Sequence, residues 1–218
     1  MAKNKKKKPA PKKTPLWQKP AFWVIIIAVV VIATVLICRA GRTNEETPVV
    51  ADYTAEIVIR DYGTITLDLY GSAAPVTVEN FVKLAQSGFY DGLTFHRIME
   101  GFMMQGGDPE GTGMGGLDEK IYGEFSANGY NNPISHDRGV ISMARRGNDM
   151  NSASCQFFIV HEDTYKSSLD GLYAAFGKVS SGMEVVDEIC TTAQPVDDNG
   201  TILPEEQPVI ERITVTEK

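Results

Sequence analysis

The stretch Phe95–Gly116, FHRIMEGFMMQGGDPEGTGMGG, contains the most informative pattern in this 218-residue chain. Its apolar runs predict two short strands, Thr94–Ile98 and Phe102–Gln105, followed by a glycine-rich loop. Gly111–Gly116 fits the G-x-G-x-x-G pattern, which in dinucleotide-binding proteins follows a strand and opens a helix. Here the pattern follows Gly-Gly-Asp-Pro and runs into LDEKIYGEF, which has no helical periodicity. A nucleotide site is therefore not expected.

The segments on either side predict a mostly β domain of the α+β class. Thr64–Tyr70 alternates apolar and polar side chains, as a half-buried strand does, and Glu56–Arg60 predicts its hairpin partner. Pro75–Ser87 and Met183–Cys190 have helical periodicity, and Pro75 suits a first helical turn. Many short strands with two helices indicate an antiparallel β-barrel with helical caps. The remaining predicted strands are Val140–Ala144, Cys155–Val160, Ala174–Val179 and Val209–Thr216.

Charge divides the chain into a basic end and an acidic remainder. Residues 1–20 contain eight lysines and no acidic residue, whereas the chain from Ala51 onward contains 11 Lys+Arg against 26 Asp+Glu, a net charge of −15. Nucleic-acid surfaces need clustered cations, so the acidic part is not expected to bind nucleic acid.

An apolar segment of 18 residues, Ala21–Cys38, separates the two parts and contains one polar residue, Thr34. As a helix it would span roughly 27 Å, close to the ~30 Å of a bilayer core. The lysines before it place the N-terminus in the cytoplasm by the positive-inside rule. We therefore predict a cytoplasmic tail at 1–20, a transmembrane anchor at 21–38, a linker at 39–51 and an extracytoplasmic domain at 52–218.

Two alternatives to a retained anchor stay open. The first is cleavage before Gly41, since Cys38-Arg39-Ala40 resembles a signal-peptidase site. Such cleavage would release a secreted domain. Lipidation at Cys38 is the other, although Val-Leu-Ile before it lacks the small residues that such processing needs.

Metal and redox chemistry have little support in the sequence. The histidines, His96, His136 and His161, share no metal-ligand spacing. Asp197–Gly200 has calcium-type side chains without the rest of an EF-hand loop, and a polar turn is expected there. Cys155 is expected to be buried, and a Cys155–Cys190 disulfide stays open as an alternative. No metal or cofactor is therefore expected.

Taken together, several segments resemble the cyclophilin family of peptidyl-prolyl cis–trans isomerases in order and spacing. The resemblance implies a closed eight-stranded antiparallel β-barrel capped by two helices, and the short GDPEGTGMGG loop and the anchor imply a bacterial membrane-anchored form. The matching segments are Ala55–Tyr70, PVTVENF (75–81), YDGLTFHRIMEGFMMQGGD (90–108), IYGEF (121–125), GVISMA (139–144), QFFI (156–159), LDG (169–171) and FGKV (176–179).

The resemblance also implies which residues act. Arg97 stands at the position of the family's catalytic arginine, which donates a hydrogen bond to the prolyl nitrogen as the X–Pro bond twists. Gln105 corresponds to the glutamine that orients this arginine and bonds the substrate backbone. An apolar socket for the proline ring is implied at Phe102, Met103, Phe158 and Leu169, with Tyr173 as a wall. Residues before proline are expected to meet Gly113, Ala144, Arg145 and Gln156.

Three departures from the family pattern bear on specificity. Tyr173 stands where many members carry histidine, and Ser168 where many carry a tryptophan that assists cyclosporin binding, so drug sensitivity is not implied. Arg145 replaces a frequent asparagine, and Arg145-Arg146 puts two cations beside the groove. They either favour acidic residues before proline or form a solvated charge pair.

The expected function is acceleration of X–Pro rotation during the folding of exported proteins, by a monomeric enzyme whose partners are unfolded chains and the membrane. The alternative is a module or chaperone that binds proline segments with little turnover. Retention of Arg97, Phe102, Met103, Gln105 and Phe158 favours the enzyme.

Overall fold

The structure, a computed structural model, describes residues 50–218 as a sheet of eight strands with three α-helices. Regular structure begins with the seven-residue strand Tyr53–Ile59, close to the start of the described residues. The strands are β1 Tyr53–Ile59, β2 Gly63–Leu69, β3 Thr94–Met99, β4 Met103–Asp108, β5 Val140–Met143, β6 Phe157–Val160, β7 Ala175–Ser181 and β8 Ile210–Glu217. The helices are α1 Pro75–Gln86, α2 Lys166–Leu169 and α3 Met183–Thr192, with 3-10 turns at 126–128, 163–165 and 204–206.

The eight strands form one antiparallel sheet in the order β3-β4-β6-β5-β7-β2-β1-β8, which confirms the predicted strand count and direction. The sheet is a curled half-barrel, and the closed barrel that the resemblance implies is wrong. The edge strands β3 and β8 share no continuous ladder, and Thr94 of β3 forms only an isolated bridge with Val209, just before β8. Pro208 accepts a hydrogen bond from Phe95 N but has no N–H to return, which stops the pairing there.

The alternation predicted for the first hairpin is confirmed by its register and burial. Ile57 lies opposite Ile65 across β1 and β2, and both side chains are fully buried. Strand β4 begins one residue later than predicted and continues through Gly106 and Gly107. Glycine is required within this strand because a Cβ at Gly106 would lie 2.7 Å from the carbonyl oxygen of Thr94.

Both predicted helices are present, and the one-turn helix α2 was not predicted. Helix α1 begins at Pro75 as expected, and its Phe81 packs edge-on against Phe157 with ring centroids 5.6 Å apart. Helix α3 follows Gly182, whose positive φ of 83° suits glycine. Phe81 and Phe157 belong to the main core, whereas Met103 of β4 and Phe158 of β6 lie in a second, smaller apolar cluster.

The remaining predictions concern the N-terminal segments and the cysteines. The predicted tail at 1–20, the anchor at 21–38 and nearly all of the linker lie outside the described residues. Within residues 50–218, no helix has the length and apolar character needed to cross a membrane. Cys155 and Cys190 are both buried and free, so the disulfide between them is excluded. Burial raises the pKa of the Cys190 thiol to about 12, which keeps it protonated at neutral pH.

Candidate active site

Arg97 projects from β3 and is held by groups on three sides. Its Nε donates to the carbonyl oxygen of Asn199 at 2.6 Å, and its Nη1 donates to Gln105 Oε1 at 3.3 Å. Its Nη2 lies 3.2 Å from the sulfur of Met99, and the guanidinium lies 5.7 Å from the ring centroid of Phe102. Burial lowers the pKa of Arg97, but arginine stays protonated in proteins. The result is a fixed cation with N–H groups to spare.

The carbonyl of Asn199 is a contact that sequence reasoning missed. It belongs to the predicted polar turn, in which Asp197 Oδ1 accepts from the N–H groups of Asn199 and Thr201, each at 3.0 Å. The turn is attached to β3 because Ile98 N donates to Gly200 O at 2.8 Å. The Asp-Asp-Asn-Gly run indicated the turn, but nothing in it indicated that its backbone would orient an arginine 102 residues away.

Beside Arg97 lies a cavity of about 150 Å³, which we call the socket. Most of its lining residues are apolar or aromatic, and Arg97, Gln105 and Arg145 add polar edges. Phe158 packs edge-on against Tyr173 with ring centroids 5.7 Å apart. The volume is several times the ~30 Å³ that one water occupies, so a small apolar ring fits. The residues lining the socket are Arg97, Phe102, Met103, Gln105, Ala144, Arg145, Phe158, Leu169 and Tyr173.

A larger cavity of about 510 Å³, which we call the groove, shares Gln105, Ala144 and Arg145 with the socket. Gly113 and Gln156 also line it. The structure therefore places all eleven sequence-predicted site residues around the socket or the groove, and their chemical roles stay predictions.

A chain of amide groups connects the two cavities. Gln105 Nε2 donates to Gln156 Oε1 at 2.9 Å, and Gln156 Nε2 donates to the carbonyl oxygens of Gly113 and Gly115 at 3.2 and 2.9 Å. Asp108 holds the same loop by accepting from the N–H of Gly113 at 2.5 Å. Burial would raise the pKa of Asp108, but hydrogen bonds from this and three other backbone N–H groups lower it. The carboxylate stays charged and keeps the loop rigid.

The side chain of Arg145 contacts the segment beside the socket. Its Nε donates to the carbonyl oxygen of Leu172 at 2.8 Å, and its guanidinium lies 4.9 Å from the ring centroid of Tyr173 and 5.2 Å from that of Phe125. A cation between two aromatic faces is an attractive arrangement. Arg145 therefore holds the segment that carries the Tyr173 wall of the socket.

Behind the socket, His136 supports Phe158 and was also missed from the sequence. The imidazole is buried and stacks on the Phe158 ring at 15° with centroids 6.0 Å apart. Its Nδ1 lies 2.9 Å from Asp170 Oδ1, and its Nε2 lies 3.0 Å from Ser142 Oγ. Burial lowers the pKa of His136 despite the neighbouring carboxylate. The spacing of these three residues along the chain shows no pattern that could have indicated the cluster.

This histidine makes stability depend on pH. The folded-state pKa of His136 lies below its ordinary value of 6.5, so the unfolded chain binds more protons as pH falls. We expect the contribution of His136 to the free energy of unfolding to be fully present above pH 6.5. This contribution is lost as the pH falls through the folded-state pKa. Urea unfolding at several pH values, for the wild type and His136→Gln, measures this dependence.

The expected slope in the variant is smaller but not zero. His96 is also buried, and desolvation lowers its pKa in the same direction. An identical pH dependence in the wild type and in His136→Gln would show that folding does not lower the pKa of His136.

Comparisons with known proteins agree with this geometry. Residues 54–215 match the family model described as cyclophilin type peptidyl-prolyl cis-trans isomerase/CLD. Peptidyl-prolyl cis-trans isomerase B of Bacillus subtilis is 48% identical over 131 residues, covering 60% of this chain and 86% of the relative. A peptidyl-prolyl cis-trans isomerase of Synechococcus elongatus is 49% identical over 125 residues, which cover 57% of this chain and 79% of the relative.

A solved structure shows the same fold. The Cryptosporidium parvum cyclophilin type peptidyl-prolyl cis-trans isomerase, crystallised in the presence of the dipeptide Ala-Pro, superposes with a TM-score of 0.65 at 29% identity. The match covers 76% of this chain and 99% of that one. From the family match, the close relatives and the shared fold, we conclude that the chain belongs to the cyclophilin-type peptidyl-prolyl cis–trans isomerases.

Proposed function

We propose that this isomerase uses Arg97 to stabilise the twisted X–Pro bond and that it works on exported proteins outside the cytoplasmic membrane. The observation that carries the catalytic part is the guanidinium of Arg97, fixed by Asn199 and Gln105 at the side of an apolar socket. The Ala-Pro dipeptide used with the Cryptosporidium parvum relative supports proline-containing peptides as the substrates.

The chemistry requires no covalent intermediate. Rotation about a peptide bond meets a barrier of about 18–20 kcal/mol because amide resonance is lost. In the twisted state the prolyl nitrogen becomes pyramidal and basic, so an N–H donor stabilises that state more than either planar form. Arg97 has five N–H groups, and its bonds to Asn199, Gln105 and the nearby sulfurs leave at least one for the substrate.

The surrounding residues position the substrate. Phe102, Met103, Phe158 and Leu169 surround the proline ring, and Tyr173 closes the side that Arg145 supports. Residues before proline extend along the groove past Gly113, Ala144 and Gln156. Gln105 lies in both cavities and is the side chain that bonds the substrate backbone at the junction. The socket and the groove are complete within one chain, so the proposed mechanism needs no second copy, and we propose a monomeric enzyme.

We further propose the bacterial membrane-anchored arrangement, in which 1–20 is a cytoplasmic tail, 21–38 a transmembrane anchor, 39–51 a linker and 52–218 the extracytoplasmic domain. The lysine-rich start and the apolar stretch Ala21–Cys38 support it. Uncatalysed X–Pro isomerisation takes tens to hundreds of seconds, which is slow enough to limit folding. An anchored enzyme would be concentrated where exported chains emerge unfolded.

Protease treatment of intact cells tests this arrangement. We expect added protease to digest the domain while a cytoplasmic control protein survives, and the untreated protein to have the mass of the full 218-residue chain. Protection of the domain until the cells are lysed would place it inside and contradict the proposal. A protein shortened to begin at Gly41 and found in the medium would replace the anchor with a cleaved signal.

A further inference from the structure

The cations of the acidic domain are unevenly distributed. Eleven lysines and arginines follow Ala51, and five of them form ion pairs with carboxylates within 4.0 Å. Surface ion pairs of this kind leave little net positive field. The five paired cations are Arg60, Lys83, Arg138, Lys166 and Lys218.

Most of the remaining six cations surround the two cavities. Arg97 lines the socket, and Lys120, Arg145 and Arg146 line the groove. No other ionisable side chain is among the residues that line the groove, so its charged lining is entirely positive in a domain of net charge −15. Within residues 50–218, only Lys178 and Arg212 are both outside the socket and groove and without such an ion pair.

The three groove cations differ in how firmly they are held. Arg145 lies between the rings of Tyr173 and Phe125, so its positive charge stays at one place beside the groove. Arg146 is exposed, and its backbone N–H donates to Ser152 Oγ at 2.8 Å, which sets the turn but leaves the guanidinium without a carboxylate. Lys120 is also exposed, and its ammonium donates to the carbonyl oxygen of Leu117. Both exposed cations can therefore reach a ligand in the groove.

We infer that the groove selects substrates that carry an aspartate or glutamate just before the X–Pro pair, with Lys120 and Arg146 as the residues that recognise the carboxylate. This inference rests on the proposed function, because it takes the proline to sit in the socket. Elsewhere the acidic domain repels such a substrate, so the preference must come from the groove itself. One exposed charge pair contributes little binding energy. Two exposed cations together with the fixed charge of Arg145 are expected to favour an acidic over a neutral substrate by about five- to tenfold.

Paired peptides test the inference. We would measure kcat/KM in the chymotrypsin-coupled assay for acetyl-Glu-Ala-Pro-Phe-4-nitroanilide and for the same peptide with Gln in place of Glu. The wild type is expected to prefer the Glu peptide about five- to tenfold at about 0.01 M salt and to lose most of that preference at about 1 M salt, where the Debye length is about 3 Å. Substituting both Lys120→Gln and Arg146→Gln is expected to bring the Glu/Gln ratio close to one.

A matched control is available in the two cations outside the cavities. Lys178→Gln with Arg212→Gln removes the same charge from the domain and should keep the Glu/Gln ratio of the wild type. Turnover of both peptides with a ratio near one in the wild type, or a ratio that survives in the groove variant, would overturn the inference. Failure to turn over either peptide would instead contradict the proposed function, so the two failures are distinguishable.

Discussion

Replacing Arg97 with alanine is expected to lower kcat/KM for an Ala-Pro peptide by about 10²- to 10³-fold, the usual cost of removing one preorganised donor from a transition state. Arg97→Lys is expected to recover little of this loss. A lysine keeps the charge but has a single ammonium, which cannot donate to Asn199 O and Gln105 Oε1 and still reach the prolyl nitrogen. The chymotrypsin-coupled assay measures both variants.

Binding should change much less than turnover. The proline ring meets mainly apolar walls, so we expect the dissociation constant of a proline peptide, measured by NMR titration, to change by only a few-fold. Arg60→Ala, at an exposed ion pair with Glu211, is the matched control and should keep full activity. If the wild type and Arg97→Ala had equal rates near the uncatalysed rate, the domain would be a proline-binding module. Full activity in Arg97→Ala would show that the donor is elsewhere.

Local patterns in the sequence were sufficient for most of the secondary structure. The alternation in Thr64–Tyr70 and the proline at the start of Pro75–Ser87 describe interactions within one element, and the structure confirms both. The predicted strand Phe102–Gln105 ends before Gly106 and Gly107, whereas β4 continues through both glycines to Asp108. Here the neighbouring backbone comes so close that only glycine fits, and that condition is tertiary.

The site also contains some residues that the sequence indicated and others that only the folded chain reveals. The side chains that surround the socket were identified because their types and order resemble a family pattern. The Asn199 carbonyl was missed because any residue can present a carbonyl oxygen, so its side chain carries no signal. His136 was missed for a related reason, since its partner Asp170 is 34 residues away and meets it only in the folded chain.

Glu124 is a third residue whose role only the fold reveals, and its replacement should have the largest effect on stability. It is buried in the segment between β4 and β5, yet it completes the N-terminus of α1, where Ala74 provides no side-chain cap. Its carboxylate accepts from Val76 N at 3.1 Å, from Thr77 N at 2.8 Å and from Thr77 Oγ1 at 2.7 Å. A negative charge is favoured at this end of a helix.

Glu124→Ala is therefore expected to lower the free energy of unfolding by about 3 kcal/mol, because three donors, two of them buried, lose their acceptor together. Glu124→Gln keeps one acceptor oxygen and should lose about half as much. Urea unfolding measures both, with Glu79→Ala, an exposed acid on the same helix, as a control that should change stability by no more than about 0.5 kcal/mol. A loss below about 1 kcal/mol in Glu124→Ala would mean that water replaces the carboxylate at the helix end.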